Sequence, residues 1–176
     1  MRDSFRTRRR RFTFAFTVAL ALIAAMPAAA NAEGCSGTPT APMAIDRNVF
    51  NGKMKGLVGA NEIIVSTRLS NAAWTGFFFS ATNATVTAFV NDPVNIPALH
   101  CGDLITLGSG NSGSAYAAME AKWPAGSVIV LPIASFDGGR GAVAGFAVVQ
   151  VITIQASGSP KYLHGTILSL DLDPAA

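Results

Sequence analysis

The chain has 176 residues, with 13 Lys+Arg against 10 Asp+Glu and a pI near 9.2. That basicity is confined to the first 32 residues, which hold six arginines and a single acid, so the remainder keeps seven basic and nine acidic residues, a net charge of −2. No basic surface is left to neutralise phosphates, which excludes nucleic acid as a partner; a charged fraction of 13% with abundant Gly, Ala, Ser, Thr and Val excludes a disordered tail.

Residues 1–32 have the three parts of a secretory signal. Arg2, Arg6, Arg8, Arg9, Arg10 and Arg11 form a basic start, residues 12–26 an apolar run, and Pro27 a helix break before the small-x-small box Ala30-Asn31-Ala32. The apolar run is shorter than the ~20 residues that span a bilayer, so cleavage after Ala32 is expected and membrane contact is limited to the transient signal. Arg9-Arg10-Arg11-Phe12 partly matches a twin-arginine signal, which exports folded chains. Cys35 follows closely enough to raise lipidation, but Glu33 precedes it where small apolar residues are favoured. An exported product, periplasmic or extracellular, is the expectation.

Residues 33–44, rich in Gly, Pro, Thr and Ser, read as an extended lead-in to a β-rich domain over residues 45–176. Residues 62–69, 74–80 and 84–90 read as strands, the last from its alternation, with Asn91-Asp92-Pro93 as the turn that ends it. Residues 103–107 form a fourth short strand. Residues 115–123 are the one helical segment, capped by Ser114 and stopped by Pro124. Residues 127–133 form a buried strand, Asp137-Gly138-Gly139 a turn, and residues 142–154 a long strand dominated by β-branched side chains. Ser157-Gly158-Ser159-Pro160 turns the chain into a last strand over residues 162–172. About eight strands at regular spacing with one short helix predict a mainly β single domain, a β-sandwich or small β-barrel.

The two cysteines, Cys35 and Cys101, form an even pair that an oxidising compartment joins as a disulfide. The rival reading leaves both thiols free, with Cys101 and His164 as the thiol–imidazole pair of a small secreted hydrolase. His100 adjoins Cys101, but neighbours on a strand point to opposite faces. Gly110-Asn111-Ser112-Gly113-Ser114 is similar to the nucleophile loop of chymotrypsin-like proteases, yet no matching His and Asp lie upstream and the chain is too short for that fold. Trp74, Phe77, Phe78 and Phe79 are core residues or, on a second reading, a platform for a carbohydrate or other ligand; Trp74 and Phe77 are its candidate binding residues. Two cysteines and two histidines fit no zinc spacing, Asp171 and Asp173 alone make no calcium site, and no Gly-rich turn cradles phosphate, so no metal and no cofactor are expected.

The most patterned stretch runs over residues 102–165. It has Gly102-Asp103-Leu104-Ile105-Thr106, a helix, Val128-Ile129-Val130-Leu131-Pro132-Ile133, and Gly145-Phe146-Ala147-Val148-Val149. It resembles the C-terminal β region of TadG-like proteins of Tad (Flp) pilus assembly. The resemblance covers under half of the exported part and implies a role in envelope or surface assembly, with an envelope or surface protein as partner and no active-site residues. Unlike those proteins, which keep an N-terminal membrane helix, this chain has a cleavable start. A non-enzymatic domain acting through protein–protein contact is the function expected.

Overall fold

Runs of β-branched and small residues build nine strands and two α-helices among the described residues. The computed structural model describes residues 35–173 apart from Met54, Gly59 and Asn111; the expected signal over residues 1–32 lies outside them. The strands are β1 (Ser36–Gly37), β2 (Met43–Asp46), β3 (Glu62–Val65), β4 (Ala72–Phe77), β5 (Leu99–His100), β6 (Leu104–Gly108), β7 (Val128–Asp137), β8 (Arg140–Gln155) and β9 (Tyr162–Leu172). The helices are α1 (Asn83–Asn91), between β4 and β5, and α2 (Gly113–Lys122), between β6 and β7. The fold is mainly β, as the sequence leads one to expect.

The β7–β8 hairpin organises the sheet. Its two-residue loop, Gly138-Gly139, has φ of 51° and 87°, left-handed values that glycine adopts without a Cβ penalty and that match the twist of the flanking strands. Asp137 and Arg140 then pair, and the ladder runs back to Val128 opposite Gln150. β8 is long enough to serve two partners along its other edge: β6 beside Arg140–Ala142, then β9 from Gly145 to Gln155. β6 pairs with β4 and β4 with β2, and β2 returns to β7 in parallel through Ile45–Ile133 and Asp46–Ala134. Five strands therefore close into a ring, and β9 with β3 extends from the far half of β8. All four residues of β2 and all six of β4 are buried, as both faces of these strands are covered.

Two apolar clusters fill the fold. The larger joins Met43, Ile45, Ile129, Leu131, Ile133 and Val149 of the sheet to Tyr116 and Met119 of α2 and Val86 and Val90 of α1. The smaller gathers Ala44, Phe77, Phe89, Leu99, Ile105, Val143 and Phe146. Each large aliphatic or aromatic side chain so buried contributes about 1.5–3 kcal/mol before conformational entropy is charged against it.

Four local expectations are corrected. Residues 84–90 are helix α1, not a strand: Thr82 caps the helix by accepting from the Thr85 N–H, and Val86, Phe89 and Val90 put the apolar spacing on one helical face. The fold thus has two α-helices rather than one. The strand expected over residues 62–69 stops at Val65, because Ser66 caps a 3-10 turn over Thr67–Leu69. The strand expected over residues 74–80 begins at Ala72 and ends at Phe77, whose φ of 55° turns the chain sharply. Helix α2 is capped by Ser112, which accepts from the Ala115 N–H, rather than by Ser114.

Residues 35–44 are integrated into the domain instead of leading into it. β1 pairs with β5, Thr40 exchanges hydrogen bonds with Val130 on the edge of β7, and β2 sits inside the ring. Cys35 and Cys101 form the expected disulfide, with Cα atoms 5.2 Å apart, and it ties this arm to the turn after β5.

Candidate functional site

The sequence suggested two places for chemistry, and the structure adds a third feature. The first, Cys101 with His164, is not brought together. The Cys101 sulfur is bonded to Cys35, so no thiolate is available there. Cys101 adjoins Gly102, whose N–H donates to Val143 of β8, whereas His164 lies opposite Thr153 of the same strand. At the usual rise of about 3.3 Å per residue, those two points are on the order of 30 Å apart along β8, far beyond proton-transfer reach. His164 instead faces Glu62 across the β3–β9 pair, Nε2 to Oε2 3.2 Å.

The second place holds Trp74 and the Gly/Ser loop. Trp74 and Phe77 are 3% and 0% exposed, so neither ring is a platform; both are core. Trp74 stands edge-on to Tyr116 with centroids 4.8 Å apart, and Phe77 edge-on to Phe89 at 5.2 Å. The indole Nε1 donates to the Gly110 carbonyl at 3.1 Å, and the Thr67 hydroxyl donates to the same oxygen at 2.9 Å, which fixes the loop between β6 and α2. Above it opens a cleft of about 400 Å³, between the starts of α1 and α2, lined by Trp74, Asn83, Val86, Ser112 and Ser114 among others. The Ser112 and Ser114 hydroxyls both donate to Asn83 Oδ1. Among the described residues no histidine or carboxylate lines this cleft, so none of them offers either serine a base. It offers hydroxyls, an amide and an indole edge. The described residues contain no group of three or more His, Cys, Asp or Glu that could hold a metal ion.

The third feature, missed from sequence, is the outer edge of β9. Residues 163–166 pair with β3, and the Ile167 N–H donates to the Asn61 carbonyl. Beyond that point β9 is bonded on one side only, to β8 from Gly145 to Val149. On its other side Leu168, Ser169, Leu170, Asp171 and Leu172 meet no strand among the described residues. Leu168 and Leu170 are 52% and 43% exposed. Such an edge presents a row of unpaired N–H and C=O groups, and the devices that normally guard one are sparse here: one charge, Asp171, and a β-bulge at Leu168. The signal was present in the alternation Leu-Ser-Leu-Asp-Leu at the end of the last strand, but sequence alone does not say which strand is left at an edge.

Among the described residues, no helix is long and apolar enough to cross a membrane. In comparisons with known proteins, no family model, no curated sequence and no solved structure matches the chain.

Proposed function

We propose that the chain is an exported, disulfide-braced domain that acts through protein–protein contact in envelope or surface assembly, without chemistry of its own. The observation that carries this reading is the open edge of β9, where backbone donors and acceptors lie beside exposed leucines. The Cys35–Cys101 bridge supports an oxidising destination, the sequence of residues 1–32 supports export, and the TadG-like pattern of residues 102–165 supports assembly as the setting. A photoreactive residue in place of Leu170, introduced in the living cell, tests the reading, with the same residue at Val94 as control because Val94 is 84% exposed and lies in the 3-10 turn Pro93–Asn95, outside every strand. A discrete protein adduct from position 170 and none from position 94 is expected. Equal or absent labelling at both positions removes the reading.

A second reading, a site for a small sugar or similar neutral ligand, rests on the cleft beside Trp74, Asn83, Ser112 and Ser114. Titration with mono- and disaccharides, followed by indole fluorescence, tests it; emission unchanged through the millimolar range removes it.

A further inference from the structure

We infer that the partner of the β9 edge is a second copy of this chain, paired antiparallel about a two-fold axis centred on Leu170. The inference rests on the contact reading above and names its occupant.

The backbone sets the geometry. The Asp173 N–H donates to the Ala144 carbonyl of β8. Along a strand these groups alternate in direction, so Asp171 and Ser169 also address β8, opposite Phe146 and Val148. Leu170 and Leu172 therefore direct their N–H and C=O groups outward. A second strand docks only in registers that place outward groups against outward groups, and two such antiparallel registers are symmetric within this short stretch.

Side-chain chemistry decides between them. Centring on Asp171 puts two carboxylates directly opposite each other, which is destabilising in a cross-strand pair. Centring on Leu170 puts Leu170 against Leu170 of the second copy, Ser169 against Asp171, and Leu172 against Leu168 at the bulge that ends the contact. Each carboxylate then meets a serine hydroxyl able to donate to it. The sequence Leu168-Ser169-Leu170-Asp171-Leu172 reads apolar-polar-apolar-polar-apolar in both directions, so the segment is its own complement when reversed. The contact is isologous and uses up the open edge of both copies, so it closes at a dimer instead of growing into a fibre. A ladder this short is well below a standard interface, and the dimer is accordingly concentration-dependent.

Cysteine cross-linking of the full chain reads the register directly. In the proposed pair the Cα atoms of residue 170 are about 5.5 Å apart, within the disulfide range. Leu170→Cys is expected to form a disulfide-linked dimer on mild oxidation. Ser169→Cys and Asp171→Cys are expected to cross-link to each other when mixed, about tenfold more than either does with itself, which is a 1.4 kcal/mol preference. Phe78→Cys, exposed on the turn after β4, gives the background of random collision. Leu170→Cys dimers no more abundant than those of Phe78→Cys overturn the proposal. If photolabelling from position 170 then still yields an adduct with a different protein, contact at β9 stands and the second copy is wrong; if it yields none, both readings fall.

Discussion

Removal of the Cys35–Cys101 bridge by the paired substitutions Cys35→Ser and Cys101→Ser has an effect that follows from chain statistics. The linked residues are 66 positions apart, and closing a loop of that size in the unfolded chain costs about 4 kcal/mol of conformational freedom. Little is lost in the folded state. β1 and β5 have two residues each, joined by the Cys101 N–H to Cys35 carbonyl bond at 2.8 Å and their short ladder, and neither cysteine is at the centre of a core cluster. The loss is therefore close to the full loop term. With a urea slope of about 2 kcal/mol per molar, the unfolding midpoint falls by about 2 M. The slope itself rises, because an unlinked unfolded chain exposes more surface. Urea titration followed by far-ultraviolet circular dichroism measures both quantities, and thiol titration of the unsubstituted protein verifies that the bridge is present. A midpoint shift below about 0.5 M with an unchanged slope refutes the reasoning, since it means that the arm from Cys35 to Pro42 is held by its other contacts.

Three further outcomes are expected. Asn71, 1% exposed, accepts from the Ser66 N–H at 2.8 Å and donates to the Lys55 and Ile64 carbonyls at 2.8 and 3.0 Å. Asn71→Ala strands three backbone groups and costs about 2–4 kcal/mol by chemical denaturation. Asn71→Asp keeps the acceptor but turns a carboxylate toward two carbonyl oxygens, which raises its pKa in the folded state; its stability is greatest in acid and is lost as pH rises from the unfolded carboxyl value through the raised folded one, the opposite of an ion-paired aspartate. Gly145→Ala places a Cβ 2.1 Å from the Asp171 carbonyl oxygen, so β9 lifts from β8 there; about 1–3 kcal/mol is lost, and hydrogen exchange accelerates at Asp171 and Asp173 before the rest of β9. Tyr116→Phe removes the hydroxyl that accepts from the Thr67 N–H at 3.3 Å in the core, lowering stability by about 1 kcal/mol in a thermal melt.

Legibility from sequence followed the range of the forces involved. The β7–β8 hairpin was readable because Gly138-Gly139 sits between two β-branched runs, and the bridge because only two cysteines exist. Helix α1 reads as a strand from sequence for a specific reason. Thr85, Val86, Thr87, Phe89 and Val90 are good strand formers with partial alternation, yet Val86, Phe89 and Val90 also satisfy helical spacing, and Phe77 offers Phe89 an aromatic partner only in the folded molecule. The Thr82 cap three residues before Thr85 was the available local signal. Trp74 was ambiguous because an aromatic beside a strand suits both a core and a platform; what buries it is Tyr116 and the Gly110 loop, from distant parts of the chain. The open edge of β9 depends on strand order, a property of the whole sheet that no single segment carries.

The closure of the five-strand ring has a consequence for how the molecule is made. β7, β8 and β9 are neighbours in sequence, joined by a two-residue turn and a six-residue loop, so their contacts are local and cheap to form. β2 leaves the ribosome before all of them, yet one of its edges pairs with β4 and the other, through Ile45, with Ile133 near the end of the chain. A strand made early thus waits for its second partner until β7 is made. Until β7 appears, the wholly apolar stretch Met43-Ala44-Ile45 has an unsatisfied side. In that interval this apolar strand is open to aggregation, so a holdase that serves this protein has β2 to cover until β7 is made.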